Sequence, residues 1–130
     1  MQFERILKVP LLLGIALGIA LTGCGHDPNI ASAEAVTGGD VARGRQLIYG
    51  YNCGSCHTIP GVAEAKGTVG PPLQGFGNRY YIAGSLVNTP EHLFRWIREP
   101  QQVEPGTAMP DLGVTEKQAA DIAAYLYILK

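Results

Sequence analysis

The chain has 130 residues, with 10 Lys and Arg set against 11 Asp and Glu, for a net charge of −1. That length suits one domain, and the lack of a basic surplus excludes the electrostatic footprint of a nucleic-acid binder. A domain this small has a marginal core and gains from a staple such as a metal, a disulfide or a buried cofactor.

The chain opens on an address. Arg5 and Lys8 make a positive start, and a mostly apolar run follows from Val9 to Leu21. The run is shorter than the roughly 20 residues of a membrane span and suits the apolar region of an export signal. It ends in Leu21-Thr22-Gly23-Cys24, which resembles a bacterial lipobox. The resemblance implies that residues 1–23 are a lipoprotein-type signal peptide and that Cys24 becomes a lipidated N-terminus. The protein would then sit in the bacterial cell envelope, lipid-anchored to a membrane on the periplasmic or extracytoplasmic side. More than one acyl chain makes such an anchor stable. Residues 24–39 comprise this Cys and a small, polar stretch without sustained period, predicted to be a flexible tether. As a coil it would span on the order of 20 Å.

From residue 40 the pattern is helical. Asp40 caps a helix in which Val41, Gly44, Leu47, Ile48 and Tyr51 recur on one face. Residues 60–77 are rich in Gly and Pro and read as loop. Thr89-Pro90 is a cap followed by proline at the first helical position, opening a helix with Leu93, Phe94 and Ile97 inward that stops near Pro100. Residues 100–114 are again loop. Thr115 and Gln118 form a capping box for a last helix with Ile122, Tyr125, Leu126 and Leu129 on one face. The expected fold is all-α, with about three main helices and loops long enough to wrap something.

The chemistry lies in Cys53-Gly54-Ser55-Cys56-His57. Two thiols one turn apart can add to the two vinyl groups of a haem, and the following His can bind its iron; the pattern is that of c-type haem attachment. A thioredoxin-like dithiol expects a βαβ context. A zinc site needs four ligands, usually in two separated pairs, and only Cys24, His26 and His92 remain to complete one. A disulfide is an implausible purpose for a pair followed directly by His. For a sixth iron ligand the candidates are Met109, the sole Met after the signal, in the turn-rich Pro105-Gly106-Thr107-Ala108-Met109-Pro110; His92, in the first turn of a helix; and His26, on the tether. Met109 is favoured, because a core methionine usually sits on an apolar helix face and His/Met ligation recurs in cytochromes c.

These residues resemble a class I monohaem cytochrome c over 40–130, and the resemblance implies the small cytochrome c fold around one covalent haem c. Gly44-Arg45-Gln46-Leu47-Ile48 resembles the family's N-terminal helix, and Ala124-Tyr125-Leu126 the C-terminal helix it crosses. Gly70-Pro71-Pro72-Leu73 resembles the loop whose proline carbonyl, here Pro71, accepts a hydrogen bond from the proximal His. Glu99-Pro100 and the segment through Thr107 to Met109 keep the family spacing. Trp96 falls where an aromatic flanks the Met ligand. Gly77-Asn78-Arg79 stands near the family's Gly-Arg pair, with Arg79 as the candidate propionate partner. The Trp often found nearer the propionates is replaced by Asn88, with Tyr80 and Tyr81 as possible substitutes. The implied function is one-electron transfer rather than enzymatic catalysis, by a membrane-tethered shuttle delivering electrons to a terminal respiratory oxidase. The alternative is a cytochrome c subunit of a periplasmic dehydrogenase complex. Partners are redox proteins and a membrane, not nucleic acid.

Overall fold

Caps written into the sequence start the helices of this computed structural model, which describes residues 27–130. The predicted signal peptide and the lipidation candidate Cys24 lie outside the described residues. Helix α1 is Pro28–Thr37, α2 Val41–Gly50, α3 Pro90–Arg98, α4 Pro100–Val103 and α5 Glu116–Ile128. Strands β1 (Tyr81–Ile82) and β2 (Leu86–Val87) form a small antiparallel hairpin, pairing Tyr81 with Val87 and Ile82 with Leu86. Asp40 accepts from the Arg43 N–H at 2.7 Å, and Thr89 from the His92 N–H at 3.3 Å. Thr115 and Gln118 exchange both bonds of the expected capping box.

Helices α2 and α5 cross at Gly44, whose missing side chain lets the Asp121 carbonyl and the Tyr125 Cβ approach the backbone. Ala119, Ala123 and Ala124 are fully buried on α5, so three helices can close upon it. Ile48 of α2 and Leu93 of α3, each 1% exposed, are sealed in this core. The three helices expected from the sequence all form.

Part of the expected tether does not behave as one: residues 28–37 are helix α1, docked on α5 through Ala33 and Thr37. The reasons are local. Asp27 accepts from the Asn29 N–H at 2.8 Å, Pro28 sits at the first helical position, and Ala31, Ala33 and Ala35 favour the helix. Gly38 closes it in the left-handed region at φ 65°, donating to the Glu34 carbonyl at 2.8 Å. Glu34 then accepts from the Val41 N–H at 3.1 Å, linking α1 to α2. Two further differences are smaller. The loop 100–114 begins with the single turn of α4, and residues 81–87 form the hairpin.

Asp121 is buried on the outer side of α5, beneath the α1–α2 junction. Its carboxylate accepts from Arg43 Nε at 2.7 Å, Lys117 Nζ at 2.6 Å and the Asp40 N–H at 2.8 Å. Burial opposes its ionisation, but these donors outweigh it and hold its pKa below the ordinary aspartate value.

Candidate functional site

Helix α2 ends at Tyr51, and Asn52 turns the chain through the left-handed region at φ 56° into a 3₁₀ turn over Cys53–Ser55. Asn tolerates that conformation better than most residues. The Asn52 carbonyl accepts from both the Ser55 N–H at 3.0 Å and its hydroxyl at 2.8 Å. The Cys53 carbonyl accepts from the N–H groups of Cys56 and His57, at 3.2 and 3.0 Å. Backbone bonds thus set the spacing of the two thiols and the imidazole.

The following loop folds back beneath this turn. Gly67 donates to the Gly54 carbonyl at 3.0 Å, and Gly70 to the Cys56 carbonyl at 2.8 Å. Gly54 lies against Ala65, Gly67 against the Ser55 backbone and Gly70 against the His57 ring, each place too close for a Cβ. The loop's glycine content, read from the sequence only as a loop signal, serves close packing. His57 Nδ1 lies 2.7 Å from the Pro71 carbonyl. A carbonyl can only accept, so Nδ1 carries the proton and Nε2 keeps the lone pair that a metal needs.

Cys53, Cys56, His57, Pro71, Arg79, Trp96, Thr107 and Met109 all line one cavity of about 780 Å³. Ile48, Leu73, Phe76, Leu93, Ile97 and Leu126 supply much of its apolar wall. Phe94, expected to face inward with Leu93 and Ile97, is half-buried beside the core and is not among the residues lining the cavity. Ile82 and Val114, both buried, also line it. The sequence pattern left Val114 in a loop and Ile82 unassigned, where no period marks an inward residue.

Arg79 donates to the Pro72 carbonyl and, at 3.2 Å, to the Gln74 carbonyl, with its guanidinium 5.4 Å from the Phe76 ring centre. Asn88 is a strut behind this wall. Its amide donates to the Arg79 carbonyl at 3.0 Å and the Phe76 carbonyl at 3.3 Å, and its oxygen accepts from the Tyr127 hydroxyl at 3.0 Å. Tyr127 is pushed up to about 12 by burial, so it stays a donor at neutral pH. Tyr80 and Tyr81 are exposed, and Tyr81 alone of the two lines the cavity. His92 holds the Val87 carbonyl at 2.9 Å and is not among the lining residues.

Burial pushes the Cys53 thiol above its usual pKa. A reactive dithiol needs the opposite shift. Among the described residues no group of three or more His, Cys, Asp and Glu stands ready to hold a metal ion. Close-packed interiors rarely enclose voids of this size, and the volume falls within the roughly 300–1,000 Å³ of ligand sites. Two thiols, an imidazole with a free Nε2 and a thioether on one apolar cavity fit a covalently held iron macrocycle.

Residues 41–130 match the family described as cytochrome c. The chain belongs to the cytochrome c family. It is 35% identical over 105 residues to cytochrome c2 of Rhodopila globiformis, covering 71% of this chain and 95% of that protein. It is 38% identical over 89 residues to cytochrome c oxidase subunit 2 of Alkalihalophilus pseudofirmus, covering 68% of this chain and 25% of that one. The corresponding subunit of Bacillus sp. strain PS3 is 34% identical over 94 residues, covering 69% and 26%. The chain therefore spans about a quarter of the length of these oxidase subunits. As a cytochrome c it is a haem-based electron carrier with one covalent haem c. Helix α1 precedes the matched region.

Proposed function

We propose that Cys53 and Cys56 form the thioether links to haem c, that His57 and Met109 are its axial ligands, and that the protein shuttles electrons at a membrane toward a respiratory oxidase. The observation that carries the ligand assignment is the His57–Pro71 bond, which leaves Nε2 as the free nitrogen in a cavity that Met109 also lines. Haem c bound there supplies a one-electron ferric/ferrous couple. The Pro71 carbonyl holds the His57 tautomer and strengthens the imidazole as a ligand. The Met109 sulfur is a soft donor that favours the ferrous state. Leu73, Leu93 and Leu126 exclude water, which penalises the additional charge of the ferric state. Arg79, Trp96 and Thr107 complete the walls, with Arg79 the candidate partner for a propionate.

The rim supports a weakly salt-dependent docking. Val69, Tyr81 and Leu112 are exposed, uncharged and line the cavity, and among the described residues Glu104 is the one exposed charged residue in its lining. A transient redox contact needs only a small interface. The resemblance to two oxidase subunits supports an oxidase as the recipient.

The membrane reading rests on the lipobox-like Cys24, and helix α1 shortens its tether. Three residues separate Cys24 from Pro28, a reach of about 14 Å at full extension. Lys130 Nζ donates to Asn29 Oδ1 at 3.1 Å near the start of α1, so the C-terminal end of α5 would lie nearest the lipid. Attachment raises effective concentration near a membrane partner and can replace charge steering.

Mass spectrometry of the mature protein tests these assignments together. The expected mass is that of residues 24–130 carrying one haem and acyl groups. Unmodified thiols at Cys53 and Cys56 would overturn the haem assignment, and an unmodified Cys24 the anchor. Co-purification from gently solubilised membranes tests the shuttle, since a stable stoichiometric complex with a dehydrogenase would replace it by the subunit alternative.

A further inference from the structure

The segment carrying Met109 has little holding it. Residues 105–113 contain no helix or strand; Pro105, Gly106, Ala108 and Pro110 are exposed, and Thr107 and Met109 are only half-buried. Its internal bonds are a turn from the Thr107 N–H to the Glu104 carbonyl at 3.1 Å, with Gly106 at φ 85°, a long 3.4 Å bond from the Met109 N–H to the Thr107 hydroxyl, and, past Met109, a 2.9 Å bond from the Gly113 N–H to the Asp111 carboxylate. One side chain ties this segment to a helix. Gln101 of α4 donates from Nε2 to the Thr107 carbonyl at 2.8 Å and to the Met109 carbonyl at 2.9 Å, while its Oε1 accepts from the Gly106 N–H at 3.2 Å. No other side chain from a helix bonds the backbone of residues 105–110 among the described residues.

We propose that Gln101 is a positioning residue that presents Met109 to the cavity. The proposal rests on Met109 being the sixth ligand. Only a primary amide offers two N–H donors and a carbonyl acceptor on one rigid plane, matching the two carbonyls and one N–H that meet here. Gln101 is itself firmly placed. It follows Pro100, which is fully buried, and α4 continues directly from α3, whose Leu93 and Ile97 are in the core. A rigid path therefore runs from the core through Pro100 and Gln101 to the Met109 carbonyl. Without it, the thioether must be held against solvent and competing ligands largely by its own bond to iron. With it, the ligand is pre-positioned and little order is lost on binding.

The test uses the full-length holoprotein with Gln101→Glu, Gln101→Met and, as a control, Gln102→Met at the exposed neighbour. Glu keeps the acceptor for Gly106 but sets a carboxylate oxygen against two carbonyls. Met keeps the length and removes all three bonds. Both should retain haem and helical circular dichroism, since Gln101 is exposed. Both should bind added imidazole in the ferric state roughly tenfold more tightly, the order expected from losing one or two net hydrogen bonds. They should also lose the weak long-wavelength absorption of sulfur-bound ferric haem at lower imidazole than wild type. The Gly106 amide should exchange faster in Gln101→Met than in Gln101→Glu. Gln102→Met should match wild type throughout. If wild type shows the sulfur band and both Gln101 variants bind imidazole as wild type does, the positioning role is overturned. A wild type that lacks the band overturns the Met109 assignment instead.

Discussion

The His57 ring rests directly on the backbone of Gly70: a Cβ built there would stand 2.7 Å from Nδ1 and 2.9 Å from Nε2. Gly70 has little room to retreat, because its N–H bonds the Cys56 carbonyl at 2.8 Å and the next residue, Pro71, bonds the ring. Gly70→Ala should therefore turn the imidazole. The expected outcome is a loss of about 1–3 kcal/mol of stability, as for other overpacked sites, with an altered reduction potential. Denaturant unfolding and a redox titration of the holoprotein would check both. Gly50→Ala is the companion variant, since a Cβ there meets nothing within 4 Å; equal behaviour of the two would contradict this reading.

Met109→Ala removes the proposed sulfur ligand without disturbing a helix. The potential should fall, because the ferrous state loses its soft donor. Carbon monoxide should bind the ferrous variant and not the wild type. Absorption spectra with and without carbon monoxide provide the measurement, and an unchanged spectrum would show that another residue binds.

Asp121 should make stability depend on acid. Burial disfavours its charge, but Arg43, Lys117 and the Asp40 N–H lower its pKa in the folded state. A lowered folded pKa means that its stabilisation is fully present above the unfolded value of about 3.9 and is lost as pH falls from there through the folded value. Urea midpoints should accordingly drop below about pH 4, and Asp121→Asn should flatten that drop. At neutral pH the substitution should cost about 1–3 kcal/mol rather than the larger toll of a stranded buried charge. The reason is that Arg43 and Lys117 are 52% and 61% exposed at the side chain and can return to water.

What the sequence revealed follows from how local each cause is. The thiols and His57 could be read directly, because the turn that arranges them spans five consecutive residues. Gly44 could be read too, since one crossing of two helices imposes a requirement on one position. Gln101 could not: its partners lie in a loop, and no period marks a residue that bonds backbone five to eight places away. Asp121 is not on the Ile122, Tyr125, Leu126 and Leu129 face that the period marks, and it is buried beneath the α1–α2 junction. The helix behind that junction had a legible signal. Asp27-Pro28 is the same cap-and-proline start as Thr89-Pro90, but the small residues after it give α1 almost no amphipathic period. Propensity and caps made that helix, and a periodicity search overlooks such a case.

Helix α1 should be separable from the haem-binding body. Ala33 is 4% exposed against α5, whereas Ala31, Ser32, Ala35 and Val36 face solvent. Ala33→Glu places a charge in that contact, where it has no partner. The α1 amides should then exchange rapidly, as in a locally unfolded segment, while those of α2 and α5 near Gly44 remain protected. Haem content and the absorption spectrum should match wild type, because no residue of α1 lines the cavity. The family match likewise begins after α1, at residue 41. Amide exchange followed by mass spectrometry reads both halves of this prediction at once. If α2 lost protection together with α1, the helix would be an integral part of the core.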